Sequence, residues 1–135
     1  MIEVRAAPPE HYSWIADRAA LIVSPAFRAL EALDAEGNIL GMVGYDGWTP
    51  NSCCMHVALE SQIATRRLLT RAFTVPFRLG RNVLLASVLS TNTKSLKFVK
   101  HLGFKVKARI QDGWSKGVDL VLFEMRRENC RWVKE

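Results

Sequence analysis

Residues 82–89, NVLLASVL, run apolar without the alternation of a half-exposed strand. So short an apolar run, free of proline, reads as a strand buried on both faces. A helical pattern follows at once. Leu96, Val99 and Leu102 recur three apart with Phe98 beside them, while Lys94, Lys97, Lys100 and His101 fall on the outer face. Asn92 takes the N-cap position, where its side chain accepts from the free amides of the first turn. Gly103 stands where a left-handed C-cap residue belongs, and Phe104 closes the helix and opens the next strand.

The rest of the chain supplies the partners of that unit. IEVRAA reads as a first strand, and PPEHYSWIADRAA as a helix opened by prolines in its first turn. FRALEALD alternates Phe27, Ala29, Glu31 and Leu33 against Arg28, Leu30 and Ala32, and AEGN turns it back into ILGMVGYDGW as a hairpin. CCMHVALE is a further strand. IATRRLLTRAFTVPF is a helix with Leu68, Leu69, Ala72 and Phe73 on one face. FKVKARIQ and VDLVLFEMRR are two strands around the turn DGWSKG. The order is βαβββαβαββ. Antiparallel strands give way to strand–helix–strand units, which predicts an α/β (α+β) fold with a mixed sheet.

At 135 residues one domain, 1–135, is expected, and a hydrophobic share of 49% is enough for a core. No apolar run is long enough to span a bilayer, and MIEVRAAPPEHYSW lacks the apolar stretch of a signal peptide. The chain therefore reads as cytoplasmic, with no membrane partner. Cys53, Cys54 and Cys130 form no CxxC pair and no histidine stands at ligand spacing, so neither a disulfide framework nor a metal site is expected. The net charge of +6 gathers at Arg66, Arg67 and Arg71, at Arg78 and Arg81, and at Lys94, Lys97, Lys100, Lys105 and Lys107. That balance suits either a solvated surface or an anionic ligand.

The spacing N-x-x-S-x-x-F-x-x-x-x-G-F, from Asn92 through Ser95, Phe98 and Gly103 to Phe104, resembles the closing motif of the GNAT superfamily of acyl-CoA-dependent N-acyltransferases. The element order is similar across nearly the whole chain. MHVA and MRRENCRW further resemble the short acetyltransferase-like proteins of phages and prophages. The resemblance implies a splayed mixed sheet, with helices on both faces, that admits the pantetheine arm of acetyl-CoA between two diverging strands. It implies that Asn92 holds that arm, that Ser95 lets it pass, and that the strand around Val57 runs beside it. It also implies that the turn Ile63, Ala64, Thr65, Arg66 and Arg67 cups the pyrophosphate on free helix amides. Two departures stand out. The loop ESQIATRRLL lacks the family's glycines, and Val99 occupies the position often held by a proton-donating tyrosine.

Transfer to an amine needs a group that takes a proton. His56, on the strand leading into the loop, is the candidate base, and a half-buried structural histidine is the alternative. Glu31 and Tyr45 are weaker candidates, Cys54 as an acyl carrier weaker still, and Trp48 either walls an acceptor pocket or covers the core. The implied partners are the acyl donor and an amine acceptor, small molecule or protein, with a homodimer allowed. A second class remains open: a GNAT fold that has lost catalysis and binds nucleic acid or a protein through Lys94, Lys97 and Lys100.

Overall fold

The computed structural model describes residues 1–133. The elements follow in the expected order: β1 (Glu3–Ala6), α1 (Tyr12–Ala19), β2 (Arg28–Leu33), β3 (Ile39–Asp46), β4 (Ser52–Leu59), α2 (Thr65–Arg78), β5 (Val83–Leu89), α3 (Thr93–Leu102), β6 (Lys105–Ser115) and β7 (Val118–Arg126). The strands form one mixed sheet in the order β1-β2-β3-β4-β5-β7-β6. Only β4 and β5 run parallel, and they pair through three positions: Ser52 with Val83, Cys53 with Leu84 and Cys54 with Leu85. Beyond that point β4 continues to Leu59 against β3 alone, and β5 continues to Leu89 against β7 alone. The sheet is therefore splayed at its middle.

Alternation along the strands sends side chains to two cores. Ala29 and Met42 join Tyr12, Ile15 and Phe27 under α1. Leu30, Ala32, Val43 and Tyr45 point the other way, to Leu68, Leu69, Ala72 and Phe73 of α2 and to Leu102 of α3. Helices thus cover both faces of the β1–β4 arm. Gly44 is required by the α1 core, since a Cβ there would lie 2.3 Å from the Phe27 ring.

Pro76 lies inside α2. It has no N–H to donate four residues back, which frees the Ala72 carbonyl. The Tyr45 hydroxyl donates to that oxygen at 2.6 Å. Helix and sheet are thus joined at a carbonyl that the proline leaves without its in-helix donor.

The caps of α3 are as the sequence predicts. Asn92 Oδ1 accepts from the Ser95 amide at 3.1 Å. Gly103 is left-handed, with φ of 109°. Four expectations need correction. NVLLASVL is not buried on both faces: Leu85 is 37% exposed and Ser87 is exposed, because α2 and α3 pack on the other face of the sheet and α1 makes its main contacts with β3 and β4. Residues 8–11 precede α1 in a tight 3-10 turn rather than as its first turn. The second helix begins at Thr65, not Ile63. β6 extends to Ser115, so the turn is Lys116–Gly117, with Gly117 at φ of 85°. Among the described residues, no helix is long and apolar enough to cross a membrane.

Candidate active site

The divergence of β4 from β5 opens a cleft of about 880 Å³. Val57, Ala58 and Leu59 form its β4 wall, and the N-cap Asn92 with Lys94, Ser95, Phe98 and His101 of α3 form the other. The loop Glu60–Ser61–Gln62 and Thr65 close the end nearest α2, where Arg18 arrives from α1. Four residues singled out from sequence therefore meet in one place: Val57, Thr65, Asn92 and Ser95. Asn92 spends its Oδ1 on the Ser95 amide, which leaves its amide hydrogens available to a carbonyl in the cleft.

The α2 end is open. No side chain caps its first turn among the described residues; the Thr65 amide donates to the Gln62 carbonyl at 3.3 Å, and the Arg66 and Arg67 amides behind it have no side-chain cap. Ala64, at the N-cap, is fully buried and can contribute only backbone. Ile63 is 81% exposed and Arg66 turns to a groove on the far side of α2, so neither lines the cleft. Arg67 donates to the Ile2 carbonyl at 2.7 Å and ties α2 to the first strand, as Arg71 does through Val4 at 3.1 Å.

His56 projects from β4 to the α1 face, two residues past the last pairing with β5. Its Nε2 lies 2.9 Å from Asp46 Oδ1, with the two side chains 25% and 21% exposed. It adjoins the cleft through its neighbour Val57 without being part of the lining. Asp46 was not found from sequence, although its position on the strand facing His56 follows once the β3–β4 register is known.

The weaker candidates have structural employment. Glu31 is fully buried and held by Arg5 Nε at 2.9 Å and His11 Nδ1 at 2.7 Å. Burial pushes the Tyr45 phenol far above its usual range, and its hydroxyl is committed to Ala72. Burial first and the charge of Asp46 second push the Cys54 thiol up, opposite to what a nucleophile requires. Trp48 donates from Nε1 to the Ala26 carbonyl at 3.1 Å and packs on Tyr45 at 5.8 Å, so it covers the core. Val99, at the tyrosine position, also packs on the core. Lys94 and His101, assigned to the solvent face by periodicity, line the cleft instead. The splay of the sheet decides that, and helix periodicity alone does not show it. Arg18 and Glu60 were likewise missed; they pair at 2.8 Å across the mouth. Among the described residues no group of three or more His, Cys, Asp or Glu is arranged to hold a metal.

No family model matches the chain, and no curated protein matches it. Solved structures do. A mutant form of the spermidine/spermine N-acetyltransferase SpeG of Vibrio cholerae is similar at TM-score 0.76 and 14% identity, over 95% of this chain and 96% of that one. The spermidine N-acetyltransferase of Vibrio cholerae in complex with CoA and spermine gives 0.75 and 15%, over 95% and 96%. A Desulfovibrio desulfuricans protein assigned to the GNAT acetyltransferases gives 0.73 and 12%, over 93% and 99%. At such identities the likeness establishes the fold, which is that of the GNAT acyltransferases.

Proposed function

We propose that this chain, as one GNAT-like domain, is an acyl-CoA-dependent N-acyltransferase with acetyl-CoA as donor and an amine as acceptor. The observation that carries the reading is the cleft itself: diverging parallel strands, a free Asn92 amide at its wall and an uncapped helix end at its mouth. The bound donor supplies a thioester carbonyl for attack. Asn92 donates to a carbonyl of the pantetheine arm, small Ser95 leaves room for it, and the α2 amides take the pyrophosphate. Thr65 lies at that end of the cleft and adds to the anion site, whereas Arg66 faces the groove on the other side of α2.

With His56 Nε2–H donating to Asp46, Nδ1 is left as the proton acceptor. It takes a proton as the amine nitrogen bonds to the thioester carbon. The tetrahedral intermediate then expels the thiolate, which is protonated by water or by a cleft group, since Val99 has no proton to give. His101 lines the cleft and is the titratable side chain on α3 that fits this role. The proposal keeps the cytoplasmic setting and the likeness to short phage and prophage forms.

The other reading is a GNAT fold retained for binding a nucleic acid or a protein, and Val99 together with the glycine-free loop favours it. Calorimetric titration with acetyl-CoA separates the two. The acyltransferase reading expects saturable heat and a rise in melting temperature. No heat and no thermal shift at millimolar acetyl-CoA would reject it.

A further inference from the structure

The groups that would hold the acyl donor and the candidate base stand on opposite faces of the sheet. Asn92, Ser95 and the α2 amides belong to the α2–α3 side, whereas His56 projects to the α1 side. The gap that opens past the Cys54–Leu85 pairing joins the two sides. An amine that gives its proton to His56 therefore reaches the thioester from the α1 side, and the rest of the amine lies on that side too.

Over β3 and β4 the α1 side is occupied by α1 itself. Over β5, β7 and β6 it meets solvent. Register places Leu85 and Leu89 of β5, Leu122 and Leu120 of β7, and Ala108 and Ile110 of β6 together on it. Leu85 is 37% and Ile110 44% exposed. Ser87 stands across the gap from His56, each two residues past the Cys54–Leu85 pairing on its own strand. The strip thus begins at the reacting centre and runs outward as apolar surface. Glu124 borders it beside Leu85, with Arg126 Nε at 3.0 Å and Lys107 Nζ at 3.7 Å. A second ammonium group would have to compete with both cations for that carboxylate. Three strands about 4.8 Å apart and roughly five residues long present on the order of 200 Å². A stable dimer takes about 800 Å² from each partner, so the strip fits the body of a small molecule and not a second copy.

We propose that this strip holds the body of the acceptor, and that the acceptor is a primary amine on an apolar chain or aromatic ring, not a polyamine. The inference rests on the acyltransferase reading and names its amine. The transfer is the one given above: the N–C bond forms, the C–S bond breaks, His56 takes the amine proton, and the products are the amide and CoA. Two interstrand spacings, about 10 Å, give room for a phenylalkyl group.

CoA release from acetyl-CoA with 2-phenylethylamine, hexylamine and spermidine as acceptors tests this. The two apolar amines should exceed spermidine in kcat/KM at least tenfold. Ser87→Asp sets a carboxylate on the strip and should shrink that ratio at least tenfold. Val106→Asp, on the α2–α3 side of β6, should change it less than twofold. Thermal melts and calorimetry with acetyl-CoA show that both variants fold and bind the donor. A parent chain that gives no heat with acetyl-CoA fails the acyltransferase reading and takes this inference with it. A chain that binds acetyl-CoA but prefers spermidine, or releases no CoA to either apolar amine, overturns the acceptor class alone. An equal shift of the ratio in both variants would reduce the effect to net charge and overturn the strip. Sedimentation showing a dimer that Ser87→Asp dissociates would give the strip to a second copy and overturn it as well.

Discussion

Two histidine–carboxylate pairs stand on the same face of the sheet, two strands apart, in different surroundings. His11 meets Glu31 at 2.7 Å, Arg5 holds the other carboxylate oxygen, and the carboxylate has no exposed surface. His56 meets Asp46 at 2.9 Å with both side chains partly open to solvent, where β4 leaves β5. The pairing distance does not distinguish them; burial and location do. A buried carboxylate held by Arg5 and His11 fastens β1, β2 and the turn before α1. One that backs a half-open histidine at the splay leaves a ring nitrogen free for chemistry.

Histidine exchange should separate the pairs most widely. His56→Gln should lower kcat about a hundredfold or more, the share of a general base, while melting as the parent does. His11→Gln should leave kcat alone and lower the melting temperature. CoA release over a panel of primary amines, with parallel melts, reads both. Equal kcat losses would erase the distinction.

On the carboxylate side, Glu31→Gln should cost about 2 kcal/mol in denaturant unfolding. It weakens the hold on Arg5 and His11, whose side chains are themselves partly solvated, which keeps the cost below that of a fully buried pair. Asp46→Asn should cost less than about 1 kcal/mol. A reversed order would show that the open pair is the fastening.

Tyr45→Phe extends the comparison to an uncharged buried contact. It leaves the Ala72 carbonyl without a donor beside Pro76, so about 1 kcal/mol should be lost. A neutral result would mean that water replaces the hydroxyl.

The smallest effect concerns pH. Burial, then the charge of Cys54, pushes the Cys53 thiol up to about 12 from 9.0. A raised acid is protonated longer in the folded chain, so its contribution is complete below pH 9 and is lost as the pH rises toward 12. Cys53→Ala should flatten the fall in melting temperature across that window. Parallel curves for parent and variant would remove Cys53 from the account.

Much of the fold was legible because its signals are local. Alternation in β2 and β3, the Asn92 cap and the Gly103 stop each depend on neighbours in sequence. The exposed face of β5 was not legible, since Leu85 and Ser87 are open to solvent where α1 packs mainly on β3 and β4. The cleft was legible in Val57, Thr65, Asn92 and Ser95, which the closing motif and the loop mark out. Asp46, Arg18 and His101 were missed because strand register, a helix from the other end of the chain and the splay bring them in. Arg67 was misread because the Ile2 carbonyl that occupies it lies 65 positions away.

Asn92→Asp tests the central claim, that the cleft holds the acyl donor. Aspartate caps a helix as well as asparagine, so stability should stay within about 1 kcal/mol. It has no amide hydrogen for a pantetheine carbonyl and brings negative charge toward an anion site, so acetyl-CoA affinity should fall by roughly 1–3 kcal/mol in calorimetry. A variant that melts like the parent and binds acetyl-CoA as tightly would reduce Asn92 to a cap and contradict the assignment of the cleft.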